Sequence, residues 1–444
     1  MDGQPISSVL ECTGEARVKN NWPIESTNIT GTHFTDMNDD CLMEIFSSQS
    51  LDLLDLCSIA ETCTRFQQIT EQIFPKKLAL ERNGPYVVDS EKFFGQHLQE
   101  NDVKRVLTNF GLMISDFSIS ERLSRCKRER ASLDSVFMDA VTRHRFNNLK
   151  ILHIYGFKLP AVCTNQLKKI FKRLQLLELQ WVSTSDATLF DGLDSLVDLR
   201  VMQVENCSAI LEKVFPALER FMYYTTHLRH AVTNRRATLV HYFDKLMTFV
   251  ARHHDLKAID LCFYSDSRSF IILLETIGNS CKNLIELWIR VVLSTFTSAH
   301  LQPLKVCKSL RTLGLYEVSC GNFQFISALT ELRELHLSGC SLPGDSSHFD
   351  ALAGLTKLVI DGCTTADRFD LVQMIGRLGK LEELTISYFY VQSTKFQLSK
   401  NAFDQIGGIV MDRPQVLTLK CQFYFNLASP EYYSKILLVY YVGN

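Results

Sequence analysis

No segment of this chain is apolar for long enough to cross a bilayer. Its longest apolar runs, Phe270 to Leu274 and Ile436 to Val442, fall far short of the roughly 20 residues that a spanning helix needs. The opening residues, MDGQPISSVLECTGEARVKNNWPIE, contain no apolar core flanked by basic residues, so no secretory leader and no membrane partner is expected. Charge of one sign is also missing. Lys and Arg number 47 and Asp and Glu 49, leaving −2, which argues against an electrostatic polyanion binder, so no nucleic-acid partner is expected. CxxC pairs are absent as well. The 14 cysteines are scattered and read as reduced thiols, so a cytoplasmic and/or nuclear location is expected. Without a leader the sequon Asn28-Ile29-Thr30 is expected to be silent.

Signatures of catalysis are missing too. GxSxG, GxGxxG and HExxH do not occur, and Gly379-Lys380 lacks the glycine spacing of a phosphate-binding loop. His227, His230, His241, His253 and His254 fall close together, yet neither carboxylate nor cysteine joins them at zinc-ligand spacing, so they are expected to be surface histidines. The chain is expected not to be an enzyme, with no catalytic residue, cofactor or metal.

What is present is a repeat. Leu332, Leu335, Leu337 and Cys340 are spaced LxxLxLxxC, and Leu355, Leu358, Ile360 and Cys363 repeat that spacing. Further copies stand at Leu149/Leu152/Ile154, Leu174/Leu177/Leu179, Leu199/Met202/Val204/Cys207, Leu218/Phe221/Tyr223, Leu256/Ile259/Leu261, Leu284/Leu287/Ile289, Leu310/Leu313/Leu315 and Leu381/Leu384/Ile386. Weaker ones lie at Ile114/Phe117/Ile119 and around Leu417/Leu419. Starts at 284, 310, 332, 355 and 381 differ by 26, 22, 23 and 26. The pattern resembles the leucine-rich repeat, whose period is about 20 to 29 residues. One copy cannot fold alone: about four buried apolar side chains give roughly 6–12 kcal/mol, and ordering about 25 residues at roughly 1–2 kcal/mol each costs several times more. Stacking closes that gap, so an α/β solenoid is expected, with a parallel sheet on the concave face and helices on the convex face. Cys207, Cys340 and Cys363 are expected to pack inside the turn and bond the backbone there.

Ahead of the repeats, residues 34–81 parse as three short helices. The first has Asn38 as N-cap, Asp39 and Asp40 in its first turn, and a stripe of Leu42, Ile45 and Phe46. Leu53, Leu56, Ile59, Ala60 and Cys63 line a second, and a third is expected to open with a capping box at Thr64 and Gln67. Met37, Asp40, Leu42, Ile45 and Phe46, followed by Leu53, Leu54, Asp55, Leu56, Ala60, Cys63, Arg65 and Phe66, resemble an F-box. The Leu-Pro opening of that family is Met37-Asn38 here, and Phe74 is the nearest candidate for its closing tryptophan. An F-box followed by leucine-rich repeats resembles the substrate receptor of an SCF-type cullin-RING ubiquitin ligase. The resemblance implies a Skp-family adaptor docked on Met37, Asp40, Leu42, Ile45, Phe46, Leu53, Leu54 and Leu56, and a protein substrate held by the repeats. A leucine-rich-repeat interaction scaffold with no link to ubiquitination is the alternative.

The remaining organisation follows. Residues 1–33 are polar and aperiodic and are expected to be a disordered tail; residues 82–145 are expected to be a helical linker with a possible irregular first repeat. In it, Glu121 to Arg130 (ERLSRCKRER) reads as a solvated helix face. The solenoid then spans 146–444, with one long convex helix in the 38-residue step from 218 to 256 and a C-terminal cap from Gly407. Side chains between the frame leucines alternate outward onto the sheet face, including Gln203, Glu205, Tyr224, Trp288, Arg290, Tyr316, His336 and Lys357. Trp288 and Arg290 should lie beside Tyr316 and His336 on adjacent strands. Aromatic residues and arginine are the commonest hot-spot types, so Tyr224, Trp288, Arg290, Tyr316, His336 and Lys357 are the expected substrate-binding residues.

Overall fold

A computed structural model describes residues 34–440 except 83–84, 90, 122–130, 185, 205–207, 226–235, 265–266, 293–295, 320–323, 344–345, 366–369, 389, 392–393, 396–399 and 422–435. The expected tail, the basic stretch after Glu121, Cys207, His227 and His230 therefore lie outside the described residues.

Three helices open the described chain: α1 (Asp39–Phe46), α2 (Leu53–Ala60) and α3 (Thr64–Ile73). Asn38 caps α1 by accepting from the Cys41 N–H at 2.8 Å. Asp52 and Asp55 form a reciprocal capping box on α2. The box expected at Thr64 is not formed. Cys63 holds the N-cap position without a side-chain bond, and Gln67 instead donates to Glu71 one turn on, at 3.0 Å.

The sheet follows at once. Its strands are β1 (Lys77–Arg82), β2 (Tyr86–Val88), β3 (His97–Leu98), β4 (Asp116–Glu121), β5 (Ile151–Tyr155), β6 (Leu176–Gln180), β7 (Asp198–Met202) and β8 (Arg220–Tyr224). They continue as β9 (Ala258–Tyr264), β10 (Glu286–Val292), β11 (Thr312–Tyr316), β12 (Glu334–Ser338), β13 (Lys357–Asp361), β14 (Glu383–Ser387), β15 (Leu417–Cys421) and β16 (Ile436–Tyr440). Together they form one 16-stranded sheet. Every pairing from β1 through β4 and on to β16 is parallel and follows chain order. Within this sheet, among the described residues, β2 and β3 alone add antiparallel pairings, at the first edge. The chain is a leucine-rich-repeat solenoid.

Burial alternates as the repeat demands. In β12 and β13 the frame residues Leu335, Leu337, Leu358 and Ile360 are fully buried and their neighbours half-buried. Behind the sheet run Thr164–Phe171, Arg236–Arg252, Ser267–Ser280 and Leu371–Arg377 as α-helices, and Ser298–Val306, Ile326–Ala328 and Ser346–Leu352 as tighter 3-10 turns. Strands pack about 4.8 Å apart and helices need about 10 Å, so each repeat is wider behind and the sheet face is the concave one. Arg236–Arg252 is the long convex helix expected after β8, with Phe243, Leu246, Phe249 and Val250 buried.

Three expectations need extending or correcting. Residues 82–145 hold helices and also the possible irregular first repeat: Ile114/Phe117/Ile119 falls at β4, with Phe117 and Ile119 buried, and β4 pairs with β1, whose buried Leu78 and Leu80 lie in the span expected to be helical bundle alone. Between the two strands, helix α4 (Glu100–Phe110) lies behind the sheet. Residues 407–444 do more than cap the array: the weak copy around Leu417/Leu419 is β15, and β16 pairs parallel beyond it. The frame at Leu199/Met202/Val204 is three residues out. Leu199 lies opposite Leu177 and Val201 opposite Leu179, so the true frame is Leu196/Leu199/Val201, all buried, and Met202 lies half-exposed.

After seven of the strands the chain turns through a left-handed residue at the eighth frame position: Gly156, Trp181, Gln203, Glu317, Gly339, Gly362 and Tyr388, with φ between 47° and 85°. This corner aims an N–H along the stack. Gly339 donates to Asp361 O and Gly362 to Ser387 O, at 2.8 and 2.9 Å. One residue further, the thiols of Cys340 and Cys363 donate to carbonyls of the preceding repeat, Leu315 O at 3.4 Å and Leu337 O at 3.3 Å. Small polar groups at the turn thus replace water where two repeats meet.

Candidate functional site

The fifth frame position forms one row across the sheet. In order it reads His153, Glu178, Arg200, Met222, Asp260, Trp288, Gly314, His336 and Val359. Trp288 lies on its side over the glycine, because a Cβ at Gly314 would stand 2.0 Å from the indole Cε3. The ring thereby reaches across β11 to His336, at 4.7 Å between centroids, and lies 6.3 Å from Tyr316. In the next row the Arg290 guanidinium stacks on Tyr316, 4.2 Å from its centre, a cation–π contact. Burial outweighs Glu334 and pushes the His336 pKa below its ordinary value, so that imidazole is neutral at pH 7.

Trp288, Arg290, Tyr316 and His336 therefore form the expected cluster. Tyr224 and Lys357 stand apart from it. Tyr224 is two strands from Arg290, and its hydroxyl donates to Asp260 at 2.9 Å. Lys357 is held between Glu334 and Glu383, at 3.9 and 3.8 Å. Neither is free to join an aromatic patch. Asp260 and Gly314 went unselected in the sequence, although both occupy the same frame position as Trp288. That shared register was the signal.

Beside Trp288 the face opens into a recess of about 140 Å³ lined by Asp198, Arg200, Arg220, Met222, Ala258, Asp260, Glu286 and Trp288, among others. Arg220 reaches over Ala258 to Glu286 at 3.0 Å, and Arg200 pairs with Asp198 at 2.9 Å. Burial raises the Asp260 pKa to about 6, opposed by the Tyr224 hydrogen bond and by Arg290. At the near end of the row, His153 bonds Glu178 at 2.9 Å and faces Asp116 at 3.5 Å. Burial alone would lower its pKa, but the two carboxylates outweigh burial and raise it to about 9. His153 is thus a fixed cation of the face at neutral pH.

At the front, four of the eight expected adaptor residues belong to the interior. Leu42, Phe46, Leu53 and Leu56 are at most 1% exposed, because they are the stripe that holds the three helices together. They cannot be contact residues. Asp40 and Ile45 are exposed, and Met37 and Leu54 half-buried. Phe34, 48% exposed, adds to this surface while meeting Phe66 edgewise and Phe46 at a tilt. Arg65 donates to the carbonyls of Thr35 and Met37 and to Asp39, fixing the segment that leads into α1.

Other candidates resolve into structure. His253 is not a surface histidine: it is buried, with Nε2 accepting from the Phe215 N–H at 2.9 Å and Nδ1 bonded to Phe249 O at 2.7 Å. No group of three or more potential metal ligands occurs among the described residues. Nor is any helix there long and apolar enough to cross a membrane. Burial pushes the thiols of Cys57 and Cys307 up to about 11, so neither is a ready nucleophile.

No protein-family model matches the chain, and no curated protein matches it in sequence. Among solved structures it is similar to an internalin from Listeria monocytogenes, at 15% identity over 79% of this chain and 91% of that one, with a TM-score of 0.44.

Proposed function

We propose that the chain is a non-catalytic recognition subunit, whose sheet face holds a protein partner and whose front helices dock a Skp-family adaptor that leads to a cullin-RING ubiquitin ligase. The aromatic and guanidinium cluster of Trp288, Arg290, Tyr316 and His336 carries the first half of this reading. Aromatic and arginine side chains are the types that dominate binding energy at interfaces. The second half rests on the F-box-like order of residues in 37–66 and on the exposed apolar residues Phe34 and Ile45. Reduced cysteines suit a cytoplasmic or nuclear place for it.

The test uses the full chain. Co-purified with a Skp-family adaptor, it should form a complex that Ile45→Asp abolishes while circular dichroism is unchanged, since that side chain meets solvent. No complex with the unmutated chain would eliminate the ligase half.

A second reading, an interaction scaffold without a ligase, is favoured by how the helices pack. Phe74 stacks on Phe110 of α4 at 4.3 Å, Arg105 of α4 donates to Glu61 at 2.7 Å, and the Leu53 N–H donates to Gln96 beside the hairpin edge at 3.3 Å. Helices held this way close the open end of the solenoid whether or not an adaptor binds.

A further inference from the structure

We propose that the recess beside Trp288 receives a cationic side chain, a lysine or arginine presented by the partner, with its charged head on Asp260. The inference rests on the sheet face being the binding face and names the chemistry that this face selects.

The recess is a consequence of two small residues. Ala258 stands between Arg220 and Glu286 in the third-position row, and its short side chain leaves a floor where every neighbour carries a long one. Gly314 draws the Trp288 indole away toward His336, so the opposite flank of the ring becomes a wall instead of a plug. Met222 supplies the facing wall. An aliphatic stem of three or four carbons fits between a thioether and an indole, and a cation at its end gains from the ring as well.

Charge decides which head group is admitted. Three carboxylates and two guanidiniums line the recess. Arg220 is taken by Glu286 at 3.0 Å, and Arg200 by Asp198 at 2.9 Å. Asp260 receives only the Tyr224 hydroxyl and no ion pair among the described residues. Arg290, the next cation along, is turned onto Tyr316 and acts on Asp260 through space. A carboxylate taken largely out of water without a contacting cation is a cost to the free protein, and an incoming ammonium or guanidinium removes it. An anionic guest would instead meet Asp260 and Glu286, in a lining where three carboxylates outnumber two guanidiniums already paired with carboxylates.

The experiment is selection of a random twelve-residue peptide library on the immobilised full chain, followed by titration of the selected peptides. Lysine or arginine should be enriched at one fixed position. Binding should fall about tenfold or more with Asp260→Asn, which keeps the size of the side chain and an acceptor for Tyr224, and with Ala258→Leu, which fills the floor without changing charge. Replacing the selected basic residue by glutamine should have the same effect. Peptides that depend on Trp288 but carry no basic residue, or that bind both variants as well as the parent, overturn the cation recess and leave the binding face standing. Failure to select any peptide that Trp288→Ala weakens removes the face and the recess together.

Discussion

Gly314→Ala should leave the solenoid folded and yet abolish the geometry of its sheet face. The added methyl would lie 2.0, 2.6 and 2.7 Å from three atoms of the Trp288 indole, and no real Cβ comes so near. The neighbour in conflict is a half-exposed side chain, so the ring swings away while the strands stay in register. Alanine is favoured over glycine inside a strand by about 0.5–1 kcal/mol. Losing the indole's contact with His336 costs about 0.5–1.5 kcal/mol. The two nearly cancel, so the melting temperature should move by only a few degrees. Binding of a partner or selected peptide should nevertheless weaken about as much as it does for Trp288→Ala. The ring can be followed directly: the chain has three tryptophans, so 5-fluorotryptophan labelling gives three ¹⁹F resonances, one assigned by Trp288→Phe. That resonance should shift in Gly314→Ala and the other two should not. An unmoved Trp288 resonance, with unchanged binding, would refute the reasoning.

Leu358→Ala, in the middle of the array, should cost about 2–5 kcal/mol in denaturant unfolding, since its side chain is fully buried between repeats. At the corner residue Gly362, with φ of 60°, valine should cost about 1–2 kcal/mol and asparagine much less, because 3.7 Å of clearance leaves backbone conformation as the whole penalty. His153 has its pKa raised from 6.5 to about 9 on folding, so its pairing with Glu178 and Asp116 stabilises fully below about pH 6.5 and is lost as pH rises through about 9. The stability difference between the parent and His153→Gln should shrink over that window, as read by urea midpoints at each pH.

Much of the fold was legible because burial in a stacked repeat is periodic. Leu332, Leu335 and Leu337 or Leu355, Leu358 and Ile360 cannot be read in another register. Where a frame residue was not leucine the reading failed or slid: Leu196/Leu199/Val201 and Leu199/Met202/Val204 both satisfy the spacing, and only pairing with Leu177 and Leu179 separates them. The first strand hid behind Pro75, since Leu78 and Leu80 carry no third frame leucine. The copy around Leu417/Leu419 is weak because it follows the long step that holds the helix Lys400–Met411, and Ile436–Tyr440 beyond it carries no leucine frame of its own. Register also brought Trp288, Arg290, Tyr316 and His336 together in advance. What it could not give is the direction in which each side chain leans. Tyr224 is claimed by Asp260 and Lys357 by two glutamates, and Trp288 lies flat only because its neighbour across the sheet is glycine. The front helices show the same limit. Leu42, Phe46, Leu53 and Leu56 carry the family-like pattern most strongly because they are its core, whereas the surface left for a partner falls to Asp40, Ile45 and residues around them.

The central claim, that partners lie on the sheet face, is tested most directly by site-specific photo-crosslinking from a benzophenone amino acid in the full chain in cells. One copy would be placed at Val359, in the fifth-position row of the face, and another at Val306, which is 47% exposed at the end of a 3-10 turn behind the sheet. Adducts with the same partner from position 359, absent from position 306 and lost with Trp288→Ala, are the expected result. Adducts from position 306 with none from position 359 would contradict it.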